Sequence, residues 1–397
     1  MKGPVGPFFY SKILLSVTGV LELGPWSSVM MIYRGAILST LVFYFLMSFL
    51  NIAEWTGRGL PVSSFMSMFA MVHIIAKFFN LVLRRHKLVR LIESMSRLSG
   101  EVSECPRSAL VLTWYASRSN RMTVAYTTIM AVILSSRAVI LCSAEAGNAT
   151  PLRLIPDSFE FNFPVDVFME TFIMLPPMAI VIREHNLLMT FTMQISAQLK
   201  VLNDAIIGLS HFSYDQEEVR KHRLRQSIRI HGTIFRLVKE MNELFSPVLF
   251  LETVLSSTQC CLSGYSISQL NSTDPSLPTN ILMLATTLLL PFIICWCGSQ
   301  IKEESSRLYN AVYGCGWEDF KPKDRKDILI IMTVATRPMT LNFKNTFIMD
   351  LEKYSNAFEE MQDRIARQFS PSEVRVHEQD PMDKSLERLN EGALRPC

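Results

Sequence analysis

The residues able to do chemistry are a few charged and imidazole side chains set inside long apolar runs. His73 and Lys77 lie one helical turn apart in the run 62–83. Arg137 sits in the run 124–141, and Asp166 and Glu170 occupy one face of the run 164–182, four residues apart. Inside hydrocarbon such a group must find a partner, reach the interface or meet a ligand. Lys77, near one end of its run, is expected to snorkel to the interface. His73, near mid-run, is either a satisfied polar residue or a ligand contact. Arg137 can pair with Asp166 or Glu170, as a structural ion pair or as part of a polar patch touching a ligand. Around them stand Met66, Phe69, Ile133, Phe168, Phe172, Tyr265 and Met283. An apolar, aromatic and Met-rich lining of this kind suits a small lipophilic molecule. Individually, the same residues also serve as packing or lipid-facing side chains. Pro176-Pro177 is expected to kink its run, because neither residue has an N–H to donate.

These residues need a scaffold, and the runs supply it. The chain has 397 residues, 49% hydrophobic and only 19% charged. A soluble protein would carry about a quarter charged residues. Apolar runs cover 36–50, 62–83, 124–141, 164–182, 245–267 and 281–298, and a seventh begins at 328. About 20 helical residues cross a ~30 Å hydrocarbon core. The fold expected is therefore all-α: a polytopic membrane protein of seven transmembrane helices, with an atypical seventh.

Basic residues set the orientation. Segment 84–121 holds eight Lys and Arg, 183–243 nine and 302–327 six, whereas the alternate loops hold Arg58, Arg153 and none in 269–280. Positive charge stays on the cytosolic side, so the N-terminus is expected in the cytosol. The sequons at Asn148 and Asn271 both fall in the charge-poor loops, expected to be outside and glycosylated. This orientation opposes that of a G-protein-coupled receptor. No cleavable signal peptide is seen, so the first span is expected to act as a signal anchor.

The expected organisation is an inner N-terminus (1–31), four spans (32–183), a cytosolic helical extension (184–244), two spans (245–298), an elbow (299–327), a seventh helix with a degenerate second half (328–361) and a disordered polar tail (362–397). In the extension, Leu188, Phe191, Ile195, Leu199, Leu202 and Ile206 recur at helical spacing. That stripe belongs either to a hairpin packing on itself or to an oligomerisation surface. No P-loop, dinucleotide turn, HExxH or Ser/His/Asp grouping is present, so no enzyme and no cofactor is expected. No metal site is expected, since the eight cysteines form no CxxC pair. Cys260, Cys261, Cys295 and Cys297 read as buried free thiols, while a disulfide at Cys142 stays open. A net charge of +3 does not argue for nucleic acid.

The order HGTIFRLVKEMNELFSPVLF (231–250), Cys260-Cys261, IKEESSRLYNAVYGCGW (301–317) and RKDILIIMTVATRPMTL (325–341) resembles the insect odorant receptors. The resemblance implies an odorant-specific subunit of an odorant-gated, non-selective cation channel. Such a subunit joins the odorant receptor co-receptor in a heterotetramer, with no G protein required. It implies a multi-pass protein of the cell membrane of olfactory sensory neuron dendrites. The odorant would sit in the outer half of spans two to six. It further implies a subunit anchor that includes Tyr313, Trp317, Ile328 and Ile331. The family continues into an apolar pore helix. Here 350–354 keeps a recognisable entry, but Glu359, Glu360, Asp363, Arg364 and Arg367 follow. A non-conducting or decaying receptor-like subunit is therefore one alternative, and a gustatory receptor, which shares the topology, is another.

Overall fold

The computed structural model describes residues 27–53, 62–103, 105–143, 163–212, 216–271, 277–344 and 347–368. The helices are α1 (Ser27–Ala53), α2 (Val62–Leu83), α3 (Arg85–Val102), α4 (Pro106–Ser143), α5 (Phe163–Ile207), α6 (Glu217–Ser268), α7 (Leu277–Tyr313), α8 (Pro322–Ala335) and α9 (Leu351–Gln368). An antiparallel ladder of β1 (Asn342–Phe343) and β2 (Phe347–Ile348), in register Asn342↔Ile348, separates α8 from α9.

Several hydroxyls inside the apolar helices bond to the carbonyl one turn back, as hydrocarbon favours. Ser39 and Thr40 donate to the carbonyls of Gly35 and Ala36, both at 2.9 Å. Thr127, Ser135 and Ser136 do the same along α4. Residues 64–83, 217–268 and 280–313 are long and apolar enough to cross a membrane, and 34–50 forms a shorter apolar helix. Helix α6 has 52 residues, so at 1.5 Å each it runs about 78 Å, well past a ~30 Å core. Helices α5, α6 and α7 all overrun their apolar runs toward the end of the bundle that carries α3 and α8, called the elbow end below.

Helix α5 is the axis of this end. It packs against α4, α6 and α7, and nearly every residue from Ile180 to Leu199 is buried. The stripe Leu188, Phe191, Ile195, Leu199, Leu202 and Ile206 is thus enclosed within the subunit, not displayed to another. Three of its polar residues reach neighbouring elements: Asn186 Nδ2 donates to Thr127 Oγ1 at 3.0 Å, Gln198 Nε2 to Ser99 Oγ at 3.1 Å, and Asn203 Nδ2 to the Glu304 carbonyl at 3.2 Å. Ser99 belongs to α3, whose Leu88, Leu91, Ile92, Met95 and Leu98 fill the space beside α5 and α6. At the edge of this core Tyr115 Oη donates to Glu304 Oε1 at 3.2 Å. Burial, reinforced by that carboxylate, pushes the phenol up to about 12.

The elbow turns at Gly316, whose φ of 71° lies in the left-handed region that glycine tolerates. Phe320 is buried with the Arg220 guanidinium 4.2 Å from its ring centre. Helix α8 then starts with Pro322 in its first turn, where the missing N–H costs nothing.

A single seventh helix over 328–361 is not what forms. Helix α8 ends at Ala335, and Arg337-Pro338 leads into the ladder, because proline biases its predecessor away from helix. The segment is then pinned to α6 and α7. Asn242 Nδ2 donates to the Thr340 carbonyl at 2.8 Å, the Met339 N–H to Ser305 Oγ at 2.9 Å, and Lys302 pairs with Asp350 at 2.7 Å. Gly298 makes the close approach possible: a Cβ there would lie 1.7 Å from the Met349 carbonyl oxygen. Residues 362–368, expected in a disordered tail, continue α9; the rest of that tail lies outside the described residues.

Residues from Glu352 onward form a separate unit. Within it α9 stacks Tyr354 on Phe358, one turn apart, and leaves Glu359 and Glu360 exposed.

Candidate functional site

The chemistry-bearing side chains that the structure brings together lie at the junction of α2, α5 and α6. Lys77 has no exposed side-chain surface. Its ammonium sits 2.8 Å from Glu252 Oε1 and 3.3 Å from Glu184 Oε2. His185 Nε2 lies 3.3 Å from the same Glu252 oxygen, and its Nδ1 is 2.9 Å from the Val181 carbonyl oxygen. Tyr126 of α4 packs its ring 5.7 Å from the His185 ring.

Each element has a reason to deliver its member. Lys77 is on the α2 face that meets α6, since Asn80, one turn on, donates to the Leu244 carbonyl at 3.0 Å. Gln259 of α6 donates to the Met66 carbonyl at 3.0 Å, holding the other end of the same seam. Glu184 and His185 enter where α5 passes out of its apolar run and becomes fully enclosed. Lys77 therefore does not snorkel: no side of it opens to an interface, and two carboxylates meet it where water is excluded. Glu252, alone among the apolar residues of 245–267, and Glu184 went unread as partners. A lone acid in one run opposite a lone lysine in another was the available signal.

His73 stands one turn along α2 from Lys77 and is 5% exposed. Met66 is buried; Phe69, Ile133 and Met283 are half-buried; Tyr265 is 49% exposed near the end of α6. Met66 and the α6 residues around Tyr265 share one seam, with Ser263 Oγ 3.9 Å from Met66 Sδ. Ile133 stands on α4, which packs on α5. The side chains of Arg137, Phe168, Glu170 and Phe172 lie outside the described residues, as do Asn148 and the Cys142 thiol. Asn271 is exposed just after α6. Cys295 and Cys297 are buried free thiols and Cys260 is buried too, whereas Cys261 is exposed.

At the elbow, Ile328 and Ile331 are 2% and 3% exposed and belong to the subunit's own core. They face inward with Ala335 at helical spacing. The outward face of α8 is Leu329, Ile330 and Val334, with Tyr313 exposed nearby in sequence and Trp317 half-buried.

A bundle of long apolar helices whose intramembrane charges pair with one another is a polytopic helical membrane protein. The profile of the family described as 7tm Odorant receptor matches residues 61–358, and the chain belongs to that family. It is 28% identical over 153 residues to Odorant receptor 9a of Drosophila melanogaster, an alignment spanning 38% of each chain. It is 23% identical over 141 residues to the odorant receptor coreceptor of Anopheles gambiae, spanning 36% of this chain and 30% of that one. These alignments therefore cover only 38% and 30% of the relatives' own length. The fold matches the insect olfactory receptor OR5 of Machilis hrabei, solved in complex with eugenol. The TM-score is 0.77 at 15% identity, over 89% of this chain and 95% of that one.

Proposed function

We propose that this chain is the odorant-recognising subunit of a ligand-gated, non-selective cation channel assembled with co-receptor subunits as a heterotetramer. It works in the cell membrane of olfactory sensory neuron dendrites, with its N-terminus and elbow in the cytosol. The observation that carries this reading is the family match itself, which runs from α2 through the elbow and the ladder into α9. The exposed apolar face Leu329, Ile330 and Val334 at the elbow end supports assembly, because such a patch suits contact with a partner subunit. The odorant is small and lipophilic, and it binds in the half of the bundle away from the elbow, among Met66, Phe69, His73, Ile133 and Met283. Arg137, Phe168, Glu170, Phe172 and Tyr265 complete the proposed lining. Binding shifts a closed–open equilibrium only by its differential affinity for the open state.

Co-expression with a co-receptor is the test. Odorant-evoked cation current that survives G-protein blockade, with none from this chain alone, is expected; current from the isolated chain overturns the proposal. One observation favours a second reading. Helix α9, which follows the ladder where the resemblance leads to an apolar pore helix, carries exposed Glu352, Lys353, Glu359, Glu360 and Asp363. A non-conducting partner would co-assemble and bind ligand yet add no odorant response.

A further inference from the structure

A groove of about 610 Å³ opens at the elbow end between α6 and the segment joining α8 to β1. Lys239, Arg337 and Lys344 line it, all exposed, against one carboxylate, Glu243. Its floor is apolar and includes Val238, Met339 and Phe343. Two features restrict what fits. The positive excess selects an anion, and the apolar floor selects one with a hydrocarbon part. Depth restricts it further: the groove spans Lys239 to Pro247, where α6 passes from its charged stretch into the apolar run that begins at Phe245. That is headgroup level for a helix crossing a bilayer.

We infer that this groove is a binding site for an anionic phospholipid of the inner leaflet, its phosphate held by Lys239, Arg337 and Lys344 and the start of an acyl chain lying on Val238, Met339 and Phe343. The inner-leaflet assignment rests on the orientation proposed above; the site does not. A lipid seated there bridges α6 to the segment after α8, so it would stiffen the link between the bundle and the elbow.

The experiment uses the full chain in detergent micelles, which have no sides, with fluorescent phosphatidylserine as probe and phosphatidylcholine as control. Each basic residue near a headgroup contributes about a factor of five in affinity, and the three together on the order of a hundredfold. Preference for phosphatidylserine, weakened by each of K239A, R337A and K344A and lost in the triple variant at an unchanged thermal midpoint, is expected. Unchanged affinity in the triple variant overturns the inference. Equal competition by glycerophosphoserine, which has no acyl chains, overturns the lipid assignment in favour of a free anion site. Cross-linking between copies through Lys239 in place of lipid binding overturns it in favour of a subunit contact. None of these readouts needs odorant or current, so a failed channel assay leaves them standing. A tag test placing the elbow outside the cell sinks the orientation alone.

Discussion

Lys77 has no exposed side-chain surface, and its two carboxylate partners come from two other helices. Removing one member of a buried ion pair leaves the others uncompensated, at a cost of about 3–5 kcal/mol. Lys77→Met, which leaves Glu184 and Glu252 facing each other, is expected to destabilise the protein by that amount in a thermal unfolding assay in detergent. Adding Glu252→Gln should recover about 1 kcal/mol or more, the scale of coupling between contacting residues. Strictly additive losses would mean that the two side chains do not share a network.

Among the elements, α5 and the β1–β2 ladder do the positioning. Helix α5 is enclosed between Ile180 and Leu199, and polar residues on and just beyond this stretch are held by specific neighbours: Asn186 by α4, Gln198 by α3 and Asn203 by α7. The ladder is held against α7 by a contact that only glycine permits. Gly298→Ala is expected to cost about 3 kcal/mol, the upper end of overpacking, because the obstructing atom is backbone oxygen and cannot swing aside. Gly264→Ala is the control, since a Cβ there meets nothing within 4 Å and alanine favours the helix, so the midpoint should hold or rise. Equal midpoints for the two variants would contradict the packing described. The stop of α8 was written locally, in Arg337-Pro338. The ladder was not, because Asn242, Ser305 and Lys302 that anchor it are remote in sequence.

For the whole molecule, orientation has a direct test. Asn271 is exposed at the end of α6 remote from the elbow. If that end faces the lumen during synthesis, the expressed chain carries a glycan there, and Asn271→Gln removes an endoglycosidase-sensitive shift in mobility. A shift unchanged in that variant shows that Asn271 carries no glycan. By itself the sequence determined the helical class and the family, because apolar run length, helical spacing and local motifs are properties of neighbouring residues. It also showed an apolar stripe on α5 without saying what covers it. Tertiary structure alone decided that α4, α6 and α7 cover that stripe, that Lys77 is locked and not snorkelling, that Ile328 and Ile331 turn inward while Leu329 and Ile330 turn out, and that the chain after α8 bends into a ladder. The reason is common to all four. A buried charge or an apolar face takes its meaning from what lies across from it, and those partners, such as Glu252 for Lys77, are brought together only when the helices pack.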